Sequence, residues 1–550
     1  MSRFFEDFSL ICDKIKLTSS KLNKISILGE FLKELDDEDL KIAIKFLSSQ
    51  VFPPWENKEL QVGYSTLVKL LKDLTLTDDK TISSLLVKFG DLGEVAEYLY
   101  KNKKIEKPFF TKKLTLVDVY KILNKISDLK GEGSYTIRKN FLKQLFIDSS
   151  PIEIKYIIKI ITNELRIGLS EGLIEEAISY AFNKSSGDVR NAYLLLPDLS
   201  LIAYHAKHNT MHLISIELLT PTNFMLADFM DTASEIINYF QKELICEYKY
   251  DGIRCQVHKK DDKVKLFSRR FEDISYFLPE IVNEFKKIAN NFILDCEIVP
   301  FKDGKPLPFQ EIQKRLHRKY LIKSIMESIP VKAIVYDIMY YNNSVIDLPL
   351  RDRKQIIKCI KFGENSEEAK YFWVKNSKEI EDLFNESISK GFEGLMIKDP
   401  DSKYTPGRRG RYWIKLKKEF NTLDVVIVAA EYGHGKRSGV LSDYTFAVKD
   451  NDDLKIIGKA YSGLTDDEIE EMNKRLKEIA IKDLGYKIIV KPEIIIEVAF
   501  DSIQKSDRHD SGFALRFPRI KRIRYDKNVD EIDTLDRVIE LYNRKRSFYT

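Results

Sequence analysis

Lys249 stands in the run Glu247-Tyr248-Lys249-Tyr250-Asp251-Gly252-Ile253-Arg254. A lysine amine can attack the α-phosphorus of a nucleoside triphosphate, expel pyrophosphate and carry the nucleotide as a phosphoramidate. Only the neutral amine is a nucleophile, so neighbouring cations or a metal ion are expected to lower its pKa. Asp251-Gly252 between two apolar-rich runs predicts a hairpin turn, with the lysine at its edge facing a pocket. Asp295 and Glu297 alternate along a predicted strand and share a face, where carboxylates could hold Mg²⁺ against phosphate oxygens or bond a ribose hydroxyl. Glu393 opens a second predicted strand, and Lys415 and Lys417 alternate on a third, offering two cations to a triphosphate or a nick. Each pair taken alone also fits a solvated strand face.

The elements that must position these residues follow from patterning. The chain has 550 residues, of which 43% are hydrophobic and 32% charged, enough for about three cored domains. A net charge of +5 says little about nucleic acid, so local clusters must carry that argument. Arg408 to Lys418 and Arg516 to Lys527 each hold six basic residues, and Lys314, Arg315, Arg318 and Lys319 form a third cluster on a predicted helix. Five scattered cysteines without a CxxC pair indicate neither a zinc ribbon nor a disulfide framework. Met1 to Lys14 carries acids and lacks the pattern of a signal peptide, and no apolar run reaches membrane-spanning length. A reducing, cytoplasmic setting is expected, with no membrane partner and a monomeric chain.

To about residue 210 the apolar spacing is helical, as in Ile152 to Ile161. From about 243 it turns to strands: Leu244–Lys249, Ile253–His258, Val264–Ser268, Phe292–Val299, Val331–Tyr341, Gly394–Lys398 and Trp413–Lys417, with helices between. This predicts α+β with antiparallel sheets. After about 420, short strands separated by glycine turns suit a small barrel.

The stretches Lys249-Tyr250-Asp251-Gly252-Ile253-Arg254, Phe267-Ser268-Arg269-Arg270, Phe292 to Glu297, Val335 to Tyr340, Glu393 to Lys398, Trp413 to Lys417 and Leu515 to Lys521, in this order, resemble the motifs of ATP-dependent DNA ligases of the archaeal and eukaryotic-replicative type. The resemblance covers nearly the whole chain, because Gly131-Glu132-Gly133-Ser134 and Glu164-Leu165-Arg166-Ile167-Gly168 are similar to the nick-gripping turns of the ligase DNA-binding domain. It implies an all-α DNA-binding domain over 1–212, an adenylation domain over 213–419 and an OB-fold β-barrel over 420–550.

It also implies roles. Lys249 would be the adenylylated nucleophile, Glu247 the reader of the adenine amino group and Tyr336 the aromatic stacked on the base. Arg254 and Arg269 would contact ribose, phosphates or the DNA end, Arg409 the phosphates, and Lys415 and Lys417 the α-phosphate. Glu297 and Glu393 would serve ribose and metal, and Arg516, Arg519 and Lys521 the departing pyrophosphate. Gly133, Ser134, Arg166 and Gly168 would grip nicked double-stranded DNA. The implied cofactors are ATP and Mg²⁺, with Mn²⁺ as an alternative. The implied chemistry is nick sealing through an enzyme–AMP and an adenylylated 5′-phosphate, in replication, repair and recombination. Phe109-Phe110 sits where related archaeal ligases carry a peptide that docks on the replication sliding clamp, although Glu106 stands in place of its glutamine; the equal alternative is that both rings pack into the helical domain. RNA ligases and mRNA-capping guanylyltransferases share the Lys-x-Asp-Gly core, but the matching helical segment argues against both. A non-catalytic DNA-bridging protein would have no need of Lys249, Glu297, Glu393, Lys415 and Lys417 together.

Overall fold

The computed structural model describes residues 2–103, 112–302, 305–307, 309–316, 322–417, 421–433, 437, 439–451 and 453–546. Phe109, Phe110, Arg318, Lys319 and Lys418 lie outside the described residues.

From Phe5–Leu17 to Leu199–Lys207 the described chain runs helix after helix. The caps are local and readable. Ser150 and Glu153 form a capping box, with Pro151 at the first helical position, and so start Pro151–Ile161. That helix buries its isoleucines against Leu92–Asn102 and also buries Lys155 and Lys159. Both lysines are paired: Lys155 with Asp13 at 2.6 Å and Glu97 at 3.0 Å, Lys159 with Asp91 at 2.7 Å. Phe5, Phe8 and Phe46 anchor the core of this region.

The middle of the chain lays down β1 (Leu226–Phe229), β2 (Leu244–Tyr248), β3 (Ile253–Lys260), β4 (Lys263–Ser268), β5 (Phe292–Lys302), β6 (Lys305–Pro306), β7 (Val331–Tyr341), β8 (Ser366–Glu368), β9 (Tyr371–Val374), β10 (Gly394–Lys398) and β11 (Arg409–Lys417). They form two sheets, one ordered β1-β11-β10-β2-β9, the other β4-β3-β5-β7-β8 with β6 beside β5. Strand extents match the apolar runs closely, but the expected hairpin at Asp251-Gly252 is absent. Both edges of β2 are occupied by β10 and β9, and both edges of β3 by β4 and β5. The Tyr250–Gly252 link therefore crosses from one sheet to the other. Most pairings are antiparallel as predicted; β1–β11 and β7–β8 are parallel.

The last region comprises β12 (Asn421–Tyr432), β13 (Leu441–Asp450), β14 (Asp453–Ala460), β15 (Ala480–Asp483), β16 (Lys487–Val490), β17 (Ile495–Phe500), β18 (Ser502–Lys505), β19 (Phe513–Arg516) and β20 (Arg519–Ile523). The long β12 gives its first half to β17 and its second half to β16, so the sheet must curl. The Ile520 N–H donates to Ser462 O at 2.9 Å, joining β20 to the segment after β14. The result is a curled antiparallel structure with its own apolar core, as the OB-fold expectation requires.

Two predicted basic clusters are partly structural. Arg315 is buried, donating to Phe277 O at 2.9 Å and paired with Glu280. Arg522 pairs with Glu497 at 2.6 Å, and Arg524 and Lys527 both pair with Asp424, at 2.9 and 2.7 Å. Among the described residues no helix is long and apolar enough to cross a membrane.

Candidate active site

The two central sheets face each other across a cleft of about 290 Å³. One wall is the β1-β11-β10-β2 side, with Glu247, Lys249, Lys398, Lys415 and Lys417; the other comes from β3, β5, β7 and the turn after β4, with Arg254, Glu297, Tyr336 and Arg269. Eight residues singled out by sequence thus converge.

Lys249 owes its place to the ladder. Its N–H donates to Gly394 O at 2.8 Å and its carbonyl accepts from the Glu393 N–H at 3.0 Å, extending the β2–β10 pairing by one step. Gly394 in turn is paired with Lys417. Gly394 has φ +141°, and a Cβ there would lie 2.2 Å from Leu416 O, so only glycine lets the three strands come together here. Lys249 and Glu393 form an ion pair, and the Lys417 ammonium lies 3.5 Å from the same Glu393 oxygen. On the opposite wall, a Cβ on Gly252 would lie 2.4 Å from Ile298 O, which explains why the crossover needs glycine without any turn.

The electrostatics differ from expectation. Burial opposes the Lys249 charge, but Glu393, Glu297 and Asp251 outweigh it and hold the ammonium above its ordinary pKa. The expected lowering fails because carboxylates, rather than cations, are the immediate neighbours in the free cleft. Burial pushes Glu297 up to about 8; Lys249 and Arg254 counter this, and Glu393 adds to it.

Asp295 shares Glu297's side of β5 but is fully committed. It accepts from Arg254 Nε at 3.1 Å and Nη2 at 2.7 Å, from Tyr336 Oη at 2.8 Å and from Tyr404 Oη at 2.7 Å, and it is fully buried. It is therefore a hub that fixes other cleft residues, not the free metal or ribose carboxylate expected from the alternation. Arg254 also stacks on Phe224, its guanidinium 4.8 Å from the ring. Glu247, 2% exposed, sits between the ammonium groups of Lys354 at 2.5 Å and Lys398 at 2.6 Å. Lys398 lies 4.2 Å from the Trp413 ring centroid and 4.7 Å from that of Tyr336, and burial lowers its pKa. Tyr404, Phe224 and Lys354 were not foreseen; they arrive from distant loops and a helix, with no local signal to mark them.

The C-terminal and helical-region sites lie apart from this cleft. Arg516, Arg519 and Lys521 are on β19 and β20 and are not among its lining residues. The nearest link is Asp501, 4.0 Å from the Lys417 ammonium, whose N–H donates to Arg516 O at 3.0 Å. The side chain of Arg409 lies outside the described residues. Gly133 caps Ser134–Asp148, of which Ser134 is the first residue. Arg166 donates to Gly90 O at 2.9 Å, and Lys24 holds the Ile167 and Gly168 carbonyls at 2.9 Å each. Gly133, Arg166 and Gly168 are exposed, Ser134 is half-buried, and none of them lines the cleft.

Chemically, the arrangement offers a lysine nucleophile, cations beside it and acidic oxygens within its field. The oxygens of Glu297 and Glu393 are the hard donors Mg²⁺ prefers. Among the described residues there is no group of three or more His, Cys, Asp or Glu that could hold a metal, so phosphate oxygens or water would have to complete the shell.

Three family models match in chain order: DNA ligase N terminus over residues 4–179, ATP dependent DNA ligase domain over 224–417 and ATP dependent DNA ligase C terminal region over 437–527. A DNA ligase of Archaeoglobus fulgidus is 36% identical, covering 98% of each chain. A probable DNA ligase of Koribacter versatilis is 38% identical, covering 96% of this chain and 95% of its own. The solved structure described as Pmar-Lig_PreS3 has a TM-score of 0.57 at 18% identity, covering 94% of this chain and 99% of its own, which is a likeness of fold.

Proposed function

The chain belongs to the ATP-dependent DNA ligases, and from that premise we propose how its own residues seal a nick. It is a DNA ligase that uses ATP and acts by nucleotidyl transfer. In the first step Lys249 Nζ attacks the α-phosphorus of ATP, forming a P–N bond as the P–O bond to pyrophosphate breaks. In the second, an oxygen of the 5′-phosphate at the nick attacks the adenylyl phosphorus and Lys249 departs. In the third, the neighbouring 3′-hydroxyl attacks the activated 5′-phosphate and AMP leaves. The observation that carries the assignment is the Lys249–Glu393 pair beside Lys417, aimed into a cleft between the two sheets.

Glu393 holds the Lys249 ammonium and is placed to take up its proton. Lys415 and Lys417 neutralise charge that develops on the α-phosphate. Glu247 reads the adenine amino group, Tyr336 supplies a face for the base, and Arg254 and Arg269 serve ribose or phosphates. Glu297 and Glu393 are the residues to hold Mg²⁺ or Mn²⁺, which when bound would supply positive charge against phosphate oxygens. Arg409, Arg516, Arg519 and Lys521 are assigned to the phosphates and the departing pyrophosphate. That role requires the β12–β20 region to approach the cleft more closely than it does here. Gly133, Ser134, Arg166 and Gly168 grip the duplex backbone, which suits an enzyme that must ignore sequence. The working divisions are 1–212, 213–419 and 420–550, in a monomer acting in replication, repair and recombination.

The test pairs nick sealing with transfer of radiolabel from the α-phosphate to the protein, comparing ATP, GTP and NAD as donors. Label from ATP and sealing of a nicked duplex support the reading; label only from NAD or GTP overturns the nucleotide assignment. Phe109 and Phe110 are proposed as an anchor for a sliding clamp, which would raise the enzyme's effective concentration at nicks. Phe109→Ala with Phe110→Ala should abolish clamp-stimulated sealing and leave clamp-free sealing and the melting temperature unchanged. Stimulation that survives the double substitution counts against the anchor.

A further inference from the structure

Arg269 and Arg270 occupy the corner of a tight turn in which the Phe271 N–H donates to Ser268 O at 2.8 Å and the Ser268 N–H donates to Glu272 O at 2.9 Å. Phe271 has φ +65°, an uncommon conformation for a bulky residue, which must be held by its surroundings. Its ring is held on two sides. Phe224 stacks on it, with centroids 6.4 Å apart and planes 6° apart, and Trp55 meets it edge-on at 6.4 Å and 75°. Trp55 belongs to the helical region, in the short segment Pro54–Glu56.

Next to it, Asn57 grips the backbone just beyond the turn with both ends of its amide. Its Nδ2 donates to Asp273 O at 2.7 Å, and its Oδ1 accepts from the Asp273 N–H at 3.2 Å. Asn57 itself is left-handed at φ +49°, so the segment is shaped to present this grip. The same Phe224 ring lies against the Arg254 guanidinium. A continuous line of contacts thus runs from the helical region, Trp55 and Asn57, through Phe271 and Phe224, to the two arginines of the cleft wall, Arg254 and Arg269. Apart from Leu195, which packs against a cluster of the sheets, the helical region and the sheets are built on different apolar clusters, and this grip is a further, polar and aromatic contact between them.

We propose that Trp55 and Asn57 are positioning residues for the first step: they hold the Ser268–Phe271 turn so that Arg269 faces the bound triphosphate, making the helical region part of the self-adenylylation machinery and not only a grip for DNA. This rests on the reading that Arg269 serves the nucleotide. The physical basis is that an arginine on a turn contributes to a transition state only if the turn is fixed before the reaction, since displacement by about 1 Å costs orders of magnitude in rate.

The test uses the full chain carrying Trp55→Ala with Asn57→Gly, the glycine keeping the left-handed backbone while removing the amide. Self-adenylylation without DNA and sealing of a nick that is already adenylylated are measured side by side, with Arg269→Ala, Trp55→Ala alone and Trp55→Phe as companions. The double variant is expected to lose about tenfold in the first step and to seal the pre-adenylylated nick at the normal rate. Trp55→Phe should restore most of the loss caused by Trp55→Ala alone. Normal self-adenylylation in the double variant, with Arg269→Ala slowed, overturns the proposal alone; an equal loss in both reactions does so as well, because it marks a general structural role. Normal self-adenylylation in Arg269→Ala overturns the nucleotide role of Arg269, and the proposal with it.

Discussion

The two walls of the cleft are built on opposite plans. On the β2–β10–β11 wall the reactive groups are lysines at the ends of long side chains, and the nucleophile's partner, Glu393, is shared between Lys249 and Lys417. On the β3–β5–β7 wall Arg254, Tyr336 and Tyr404 all converge on one buried carboxylate, Asp295. The lysine wall can exchange partners as nucleotide and DNA come and go. The Asp295 wall cannot, because each member is needed to satisfy the others. Substitution at the Asp295 hub should therefore act first on stability, and substitution of Lys415 and Lys417 first on function, and this separation can be tested.

The largest effect is expected on the fixed wall. Asp295→Ala leaves the Arg254 guanidinium in a buried site without its carboxylate, which should cost about 3–5 kcal/mol of stability. Chemical denaturation of the variant checks this, and a stable Asp295→Ala protein would break the contrast. Lys415→Ala with Lys417→Ala should do the reverse, slowing self-adenylylation by about 10²–10³-fold with little change in the denaturation midpoint. Single-turnover labelling with ATP measures the first quantity; a large loss of stability would put these lysines on the structural side. Arg519→Ala adds a third contrast, since Arg519 lies on β20 and not in the cleft lining. It should slow self-adenylylation roughly tenfold while sparing a pre-adenylylated nick, as expected if the barrel must close for the first step alone. Equal losses in the two assays would assign it to DNA binding.

The effect that is smallest near neutral pH is a pH dependence on the fixed wall. Burial, with Lys265 nearby, holds His258 down at about 3, and its Nδ1 accepts from the Leu219 N–H at 3.2 Å, so only the neutral ring fits. The unfolded chain takes up this proton near the ordinary histidine value, about 6.5. Stability from His258 is thus fully present above that pH and falls as pH drops toward 3, by about 1.4 kcal/mol per unit at most. His258→Gln should flatten the stability profile between pH 6 and 4, and an unchanged slope would mean that other groups set it.

What the sequence made legible follows the same division. Strand extents and the helical first region were readable because alternation and apolar spacing are local; the residues of the lysine wall were singled out by the ordered run of motifs, since alternation alone fits a solvated face equally well. The Asp251-Gly252 hairpin was misread because the choice of pairing partner is not local: β2 and β3 each find two better neighbours far along the chain. Asp295 looked like a free carboxylate because Tyr404 and Arg254 reach it only in the fold. Arg315, Arg522, Arg524 and Lys527 looked like a DNA-facing charge for the same reason, since Glu280, Glu497 and Asp424 lie far from them in sequence. Lys249's raised pKa shows that a motif names the nucleophile without giving its protonation state in the free cleft.

The central claim is that Lys249 is the one group that receives the nucleotide. It is tested most directly by incubating the full chain with α-phosphate-labelled ATP in the absence of DNA, digesting it and identifying the labelled residue, with Lys249→Ala alongside. The account predicts an acid-labile label on Lys249, none on Lys249→Ala, and substantial sealing of a pre-adenylylated nick by that variant. Label on another residue, or persistent labelling of Lys249→Ala, would contradict it.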